Sequence, residues 1–239
     1  FSGCGLRCVF CQNHAISGGA KGRAVSARRL AEIFSALEEQ GVHNLNLVTA
    51  THFTDAVITA LKIAKLKIPV VWNSSGYERV ETLRELEGLV QVYMPDFKYS
   101  SAEAARRYSS APDYPEMARA AILEMFRQTG PYQLDGDGLM QSGLLIRHLI
   151  LPGRLDDAFD VIDWVAESFP KNAVIFSLMS QFVPFADAGR FRELARRITS
   201  EEHARAKSYL SLSGIENAYY QSPSAATEEL LPEFDLTGV

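Results

Sequence analysis

Residues 44–76, NLNLVTATHFTDAVITALKIAKLKIPVVWNSSG, contain two short apolar runs separated by an amphipathic stretch. The runs Asn44–Ala50 and Ile68–Trp72 are apolar on both faces, which is typical of buried parallel strands. Asp55–Lys67 between them has the length and pattern of a helix. A strand, a helix and a second strand in this order predict a βαβ unit in which the two strands run parallel.

Three further apolar runs continue this alternation along the chain, at Leu89–Met94, Leu144–Leu151 and Ala173–Met179. A sixth strand is predicted at Phe1–Ser2, which read as the end of a truncated strand and imply further residues before them in the natural protein. Six strands are too few to close an eight-stranded barrel. We therefore predict an α/β fold with an open, partial (β/α)6 barrel of parallel strands, and a doubly wound sheet fits the same pattern.

The segments between the runs predict helices and one turn. The further helices are predicted at Ser26–Gln40, Glu78–Glu87, Asp113–Gln128, Asp156–Phe169 and from Thr199 to Leu212. Asp135–Gly138 reads Asp-Gly-Asp-Gly, a turn sequence that predicts a small hairpin. We assign residues 1–222 to one partial-barrel domain and residues 223–239 to an acidic C-terminal tail.

The composition excludes several classes of protein. The chain has 24 Lys and Arg against 29 Asp and Glu, a net charge of −5, so it lacks the basic excess that neutralises nucleic-acid phosphates. No apolar run approaches the roughly 20 residues that a membrane-spanning helix needs, and no signal peptide is visible. We expect a cytoplasmic protein that binds neither nucleic acid nor a membrane.

All three cysteines lie within eight residues, in the motif Cys4-Gly-Leu-Arg-Cys8-Val-Phe-Cys11. An odd, clustered set makes a poor disulfide framework, whereas three thiolates on one loop can bind an iron–sulfur cluster or zinc. A four-iron cluster held by three thiolates keeps one open position, as is typical of metal centres that bind a reactant. With His14 as a fourth ligand, the same cysteines match a closed Cys3His zinc site in a zinc-stapled binding module without catalysis.

The Cys-x3-Cys-x2-Cys motif, with an aromatic residue before its last cysteine, resembles that of the radical S-adenosylmethionine (SAM) enzymes. The longer string CGLRCVFCQN at residues 4–13 resembles the pyruvate formate-lyase activating enzyme group. The likeness continues in three later strings, Trp72–Gly76, Pro95–Lys98 and Leu145–Gly153. The resemblance implies that Cys4, Cys8 and Cys11 bind a 4Fe-4S cluster whose open iron takes the amino and carboxylate groups of SAM.

The resemblance also implies a reaction and its partners. One electron from the cluster cleaves the sulfonium of SAM and releases a 5′-deoxyadenosyl radical, which abstracts hydrogen from a substrate. Likeness to the activating-enzyme group implies that the substrate is a backbone glycine of a glycyl-radical enzyme such as pyruvate formate-lyase. An electron donor such as flavodoxin or ferredoxin is implied as a further partner.

Polar residues follow the predicted strands at their carboxyl ends, where the active sites of such folds lie. They are Thr49, Thr51, His52, Asn73, Ser75, Asp96, Lys98, Ser180 and Gln181. Taken alone, the Thr, Asn and Ser residues could cap the helices that follow, and Asp96 with Lys98 could form a local ion pair. Arg147 lies inside an apolar run, where its buried guanidinium needs an anion, either a carboxylate or a cofactor group.

The resemblance assigns cofactor-binding roles to Phe10 and to four of these positions. Phe10 would stack near the adenine, and Asn73 and Ser75 would lie beside the ribose or the methionyl part of SAM. Thr49 and Thr51 occupy the place of a Gly-Gly-Glu string that commonly meets the methionine amino group in this family. This chain lacks that string.

Three charged residues complete the predicted site. The resemblance makes Asp96 a cofactor-binding residue and Lys98 and Arg147 catalytic residues, which hold charged ends of the cofactor or line the substrate cavity. Gln181 stands where activating enzymes often have a histidine.

Overall fold

The computed structural model describes residues 1–18, 21–221 and 234. Within these ranges seven strands form one sheet: Leu45–Val48 (β1), Val70–Ser74 (β2), Val92–Pro95 (β3), Gln133–Leu134 (β4), Met140–Leu149 (β5), Ile175–Met179 (β6) and Ala218–Tyr220 (β7). The helices are His14–Ser17 (α1), Ala27–Glu39 (α2), Thr54–Ala64 (α3), Val80–Glu85 (α4), Ala102–Ser109 (α5), Tyr114–Thr129 (α6), Leu155–Ser168 (α7) and Ser200–Leu212 (α8). The predicted acidic tail, residues 223–239, lies outside the described residues except for Phe234.

The parallel strands follow one another across the sheet in the order β1-β2-β3-β5-β6-β7. Leu45 is opposite Val70 in the β1–β2 pair, and Leu145 is opposite Ile175 in the β5–β6 pair. Each new strand joins the same side of the sheet, whereas a doubly wound sheet reverses direction at a switch point. No pairing joins β1 to β7 in the described part of the chain, so the barrel is open. The predicted partial (β/α)6 barrel is confirmed.

The sixth parallel strand is not at the predicted position. Phe1 and Ser2 lie in no strand. Instead, β7 pairs in parallel with β6, and Phe176 is opposite Ala218. The sequence analysis missed β7 because this edge strand is only three residues long and contains no Val, Ile or Leu.

Local sequence signals explain several element boundaries. Ser26 Oγ accepts a hydrogen bond from Arg29 N–H and caps α2, as its position before the apolar stripe predicts. Thr199 and Glu202 form the capping box of α8. The predicted hairpin is present, since β4 pairs antiparallel with β5 across the Asp135–Gly138 turn.

The core lies between the sheet and its helices. Trp72, Tyr93, Phe97 and Phe176 are all fully buried. Because the six barrel strands are parallel, the residues that follow them gather at one edge, the carboxyl edge of the sheet. No helix in the described ranges is both long and apolar enough to cross a membrane.

Candidate active site

The cysteine loop, residues 3–11, is fastened to the C-terminal end of α5. Arg7 N–H donates to the Ser109 carbonyl at 3.1 Å, and Val9 N–H donates to the Tyr108 carbonyl at 2.9 Å. These two hydrogen bonds lie on either side of Cys8. They also satisfy carbonyls that the end of a helix would otherwise leave unpaired.

Contacts within the loop position Cys4 and Cys11, and Phe10 packs the loop against the core. The Arg7 side chain donates to the Cys4 carbonyl at 2.7 Å, and Cys11 N–H donates to the Cys8 carbonyl at 3.1 Å. Phe10 is buried and contacts Phe182, with ring centroids 5.7 Å apart. All three cysteines are free thiols and partly exposed.

The loop lies over residues that follow β1 and β2. A Cβ atom at Gly3 would lie 3.1 Å from His52 Cδ2, and one at Gly5 would lie 3.6 Å from Tyr77 Cδ1. Gly3 also has a φ of +87°, a conformation that other residues adopt only with strain. Gly3, the residue before the motif, therefore allows the loop to approach the carboxyl edge closely, whereas a Cβ atom at Gly5 would make only an ordinary van der Waals contact.

Cys8 is the cysteine whose thiol lies against α5. Burial raises the pKa of Cys8 to about 11, although the positive charge of Lys98 and a hydrogen bond from Ser109 act in the opposite direction. Ser109 Oγ lies 3.0 Å from Cys8 Sγ. A coordinating metal would remove the Cys8 proton, because metal ions deprotonate the thiols that bind them.

Four of the predicted site residues meet at the carboxyl edge. Lys98 Nζ lies 2.6 Å from Asp96 Oδ2, and Arg147 Nη2 lies 2.8 Å from Asp96 Oδ1. Arg147 Nη2 also donates to Asn73 Oδ1 at 2.7 Å. We call Asn73, Asp96, Lys98 and Arg147 the charged cluster. They follow or belong to the adjacent strands β2, β3 and β5, which explains why residues so far apart in sequence come together.

Electrostatics keep this cluster ionised. Burial alone would raise the pKa of Asp96, but the charges of Arg147 and Lys98 outweigh it and hold that pKa below its usual value. Burial likewise opposes the charge on Lys98, yet Asp96 raises the pKa of Lys98 above its usual value. The site thus presents two cations and one anion, a net charge of +1.

Among the described residues, five buried side-chain polar atoms have no hydrogen-bond partner, and three of them lie at the carboxyl edge: Asp96 Oδ1, Arg147 Nε and Gln181 Oε1. The Asp96 atom is close to Arg147 but is not aligned for a hydrogen bond. Unsatisfied buried polar atoms are rare and costly. Their concentration here fits a site that receives a polar ligand with both donors and acceptors.

The predicted residues Thr49 and Thr51 lie in the loop after β1. Thr49 has a φ of +52°, which is strained for a β-branched residue, and its N–H donates to the Asn73 carbonyl at 2.8 Å. Thr51 Oγ1 donates to Glu78 Oε1 at 3.1 Å rather than capping a helix. The strain at Thr49 fits a functional loop.

Sequence reasoning missed Glu78, which is only 2% exposed. Both of its carboxylate oxygens accept from Trp72 Nε1, at 2.9 and 3.0 Å. Burial raises the pKa of Glu78 despite hydrogen bonds from Ser74, Trp72 and Thr51. A single Glu in a loop has no periodic signal in the sequence. Only the fold shows that Glu78 bonds Trp72 in β2 and Thr51 after β1.

Sequence reasoning also missed Tyr114, at the start of α6. Its hydroxyl lies 2.8 Å from the Ser75 carbonyl and 2.7 Å from the Asp96 carbonyl, and it accepts from Lys98 N–H at 2.8 Å. Tyr114 therefore ties the loop after β2 to the loop after β3. The predicted residue Ser75 is partly buried within this tie.

The donor set fits an iron–sulfur cluster better than a zinc ion. Soft thiolates on one fixed loop are typical cluster ligands. His14, the fourth ligand of the alternative zinc site, is exposed, and its Nδ1 lies 3.3 Å from the Cys11 carbonyl oxygen. In the part of the chain that the structure describes, no three His, Cys, Asp or Glu side chains are grouped to hold a single ion, and this includes the three cysteines themselves.

Comparison with known proteins agrees with this geometry. The model of the Radical SAM superfamily matches residues 1–179. An uncharacterised protein of Methanocaldococcus jannaschii is 29% identical over 216 residues, which cover 86% of this chain and 59% of that relative. The chain thus spans less than two thirds of the length of this relative.

Two solved structures share the fold at low identity. A domain of a pyruvate-formate lyase-activating enzyme from Bacteroides vulgatus is 14% identical, with a TM-score of 0.53 over 75% of this chain and 98% of that one. Streptococcus suis SuiB bound to the precursor peptide SuiA is also 14% identical, with a TM-score of 0.61 over 95% of this chain and 49% of that one. Since the family model covers well over half of its residues, the chain belongs to the Radical SAM superfamily of enzymes.

Proposed function

We propose that the protein holds a 4Fe-4S cluster on Cys4, Cys8 and Cys11 and uses it to cleave SAM. When bound, the cluster supplies one electron to the sulfonium, which yields methionine and a 5′-deoxyadenosyl radical. The radical then takes a hydrogen atom from the substrate and becomes 5′-deoxyadenosine. The observation that carries this proposal is the position of the cysteine loop over the carboxyl edge, where a Cβ atom at Gly3 would lie 3.1 Å from His52 Cδ2. The charge of Lys98, a member of the charged cluster, also acts on Cys8.

The charged cluster supplies groups that match the methionyl end of SAM. We assign Arg147 and Lys98 to the carboxylate of SAM, and we assign Asp96, whose Oδ1 is paired with Arg147 in this structure, to its amino group. Charged hydrogen bonds of this kind are about twice as strong as neutral ones and fix orientation. Because a misplaced ligand reacts slowly, the main contribution of these side chains would be to orient SAM beside the cluster that the three cysteines would hold.

The remaining predicted residues receive supporting roles. We assign Asn73 and Ser75 to the ribose or the methionyl part, and Phe10 to the adenine. The strained backbone at Thr49 and the hydroxyl of Thr51 take the place of the missing Gly-Gly-Glu string. Glu78 lies beneath Thr51 and keeps that loop in position.

For the substrate, we propose a backbone glycine of a partner glycyl-radical enzyme. The strings CGLRCVFCQN, Trp72–Gly76, Pro95–Lys98 and Leu145–Gly153 support it, because they resemble the activating-enzyme group. An open barrel also gives a peptide loop a route to the carboxyl edge. A reduced flavodoxin or ferredoxin would be the electron donor. Three free thiols suit a reducing compartment, so we place this reaction in the cytoplasm.

The first test is anaerobic reconstitution with iron and sulfide, followed by reduction, addition of SAM and measurement of 5′-deoxyadenosine. We expect a brown protein that releases 5′-deoxyadenosine. Cys8→Ala is the matched variant: it should lose bound iron and product while its far-UV circular dichroism stays unchanged, because Cys8 is a ligand rather than a core residue. A colourless wild-type protein with one tightly bound zinc would refute the proposal.

A second test addresses the substrate. The reduced protein is incubated with SAM and purified pyruvate formate-lyase, and the glycyl radical is counted by electron paramagnetic resonance. A signal that requires this protein, SAM and the glycine of the target would support activation. Release of 5′-deoxyadenosine without any glycyl radical would contradict the proposed glycine substrate. The hydrogen atom would then be taken from a different substrate.

A further inference from the structure

Two buried side chains, Tyr99 and Ser109, lead from the core to Cys8 in the cysteine loop. Ser109 Oγ lies 3.0 Å from Cys8 Sγ and 2.7 Å from the Tyr99 hydroxyl. Ser109 is 1% exposed and Tyr99 is fully buried. These two side chains are therefore shielded from solvent, and hydrogen bonds in such surroundings are electrostatically strong.

Counting protons fixes the direction of both hydrogen bonds once Cys8 binds iron. A thiolate ligand carries no proton, so Ser109 must donate to Cys8. A serine hydroxyl has a single proton, so the bond between Ser109 and Tyr99 must be donated by Tyr99. Burial raises the pKa of Tyr99 well above its usual value, which keeps that proton in place.

The backbone holds Ser109 in position for this role. Ser109 is the last residue of α5, and its carbonyl accepts the Arg7 N–H that anchors the cysteine loop. The loop and the serine hydroxyl thus move together. Among the described residues, no side chain donates to the sulfur of Cys4 or Cys11, so the support is specific to Cys8.

We propose that Ser109 tunes the reduction potential of the cluster through its hydrogen bond to the Cys8 thiolate, with Tyr99 as the positioning residue for that donor. This inference rests on the proposed function. Adding one electron increases the negative charge on the cluster and its thiolates. A hydrogen bond donated to sulfur stabilises the reduced form more than the oxidised form, which raises the potential. The protein thereby makes the cluster easier for its electron donor to reduce.

The experiment is a redox titration of the anaerobically reconstituted protein, followed by electron paramagnetic resonance. Ser109→Ala should shift the midpoint potential to a more negative value. Tyr99→Phe should shift it in the same direction by a smaller amount, because Ser109 keeps its proton but loses its orientation. If Ser109→Ala fails to hold the cluster, Tyr99→Phe decides whether the hydrogen bond to Cys8 tunes the potential. This variant removes only one oxygen atom and leaves Ser109 in place.

Two controls separate the hydrogen bond from a general loosening of the fold. Ser101→Ala removes the N-cap of the same helix, where Ser101 Oγ accepts from Ala104 N–H. Tyr93→Phe removes a fully buried hydroxyl that bonds Gln128 instead of the cysteine loop. Both controls should keep the wild-type potential.

The outcomes distinguish the two proposals. A wild-type potential in Tyr99→Phe and in cluster-loaded Ser109→Ala would overturn the role of Ser109 while the proposed function stands. An equal shift in Ser101→Ala would also overturn it, because loosening of α5 would then explain the change. A wild-type protein that takes up no cluster would overturn both.

Discussion

Asp96 accepts two cations on separate oxygens: Arg147 Nη2 lies 2.8 Å from Oδ1 and Lys98 Nζ lies 2.6 Å from Oδ2. Asp96 and Arg147 are also joined through the backbone, by a parallel bridge at the carboxyl edge. The carboxylate of Asp96 is thus the counter-ion that allows two positive side chains to share one partly buried site.

Removing this counter-ion should destabilise the protein. We expect Asp96→Asn to lower the free energy of unfolding by about 1–3 kcal/mol, less than for a fully buried pair, because two cations remain without an anion. Urea denaturation at neutral pH measures the loss. Asp187→Asn is the control, since its pair with Arg190 is more than half exposed and worth about 0–1 kcal/mol.

The loss should also depend on pH. The pKa of Asp96 is lower in the folded protein than in the unfolded chain, so its contribution is fully present above the ordinary carboxyl pKa. That contribution disappears as the pH falls through the lowered value. The stability curves of the wild type and Asp96→Asn should therefore converge in acid, and curves that stay parallel would contradict this account.

Arg147→Ala should weaken SAM binding at least tenfold, which corresponds to about 1.4 kcal/mol, because it removes a charged partner of the ligand. Isothermal titration calorimetry with SAM and the reconstituted protein measures the change in dissociation constant. Arg190→Ala, on an exposed surface pair, should bind SAM like the wild type. Reduced stability with undiminished affinity for SAM would instead make Arg147 a purely structural partner of Asp96.

Glu78→Gln should become more stable relative to the wild type as the pH rises. Burial raises the pKa of Glu78 in the folded state, so ionisation above the ordinary carboxyl pKa costs the wild type stability, by at most about 1.4 kcal/mol per pH unit. Urea denaturation of both proteins at pH 4 and at pH 7 gives their free energies of unfolding. The advantage of Glu78→Gln over the wild type should be larger at pH 7 than at pH 4. Glu167→Gln on α7 is the control, because Glu167 is an exposed carboxylate. The prediction is wrong if the stability of Glu78→Gln relative to the wild type does not increase between pH 4 and pH 7.

Gly76→Ala should damage the site, and Gly143→Ala should damage only the fold. A Cβ at Gly76, where φ is +75°, would lie 2.4 Å from the Asp96 carbonyl oxygen; one at Gly143, where φ is +120°, would lie 2.3 Å from Tyr132 Cα. Each change should cost about 2–4 kcal/mol in thermal unfolding.

Only Gly76→Ala should lower the SAM affinity of the folded protein, because Gly143 lies near the opposite end of its strand. Equal affinities in the two variants would show that the loop after β2 does not position the ligand.

The strand ends could be predicted from the sequence because they depend on local pattern. Buried parallel strands appear as apolar runs, and the polar residue after each run necessarily reaches the common edge. Asn73 and Asp96 were identified in this way, whereas Arg147 was identified as a charged residue inside an apolar run, and the fold brings the three together. Their roles toward SAM remain predictions.

Residues contributed by helices could not be predicted in the same way. Ser109 and Tyr114 reach the site only through the packing of α5 and α6, and α5 itself was not predicted because its buried face carries Ala104, Ala105 and Tyr108 rather than Leu, Ile or Val. Its sequence, Ala-Glu-Ala-Ala-Arg-Arg-Tyr-Ser, buries small and aromatic side chains instead. The edge strand β7 was missed for a related reason, since its pairing with β6 is decided by the sheet rather than by its own three residues.

The attachment of the cysteine loop to α5 has a consequence for biosynthesis. Cys8 and Ser109 are 101 positions apart, so the ribosome releases the loop well before it makes the surface on which the loop rests. At the usual elongation rates of about 5–20 residues per second, the thiols wait for several seconds without their final support. We therefore expect the proposed cluster to be loaded stably only after α5 is complete, and a chain truncated before Ser109 should not be a competent acceptor of iron and sulfide.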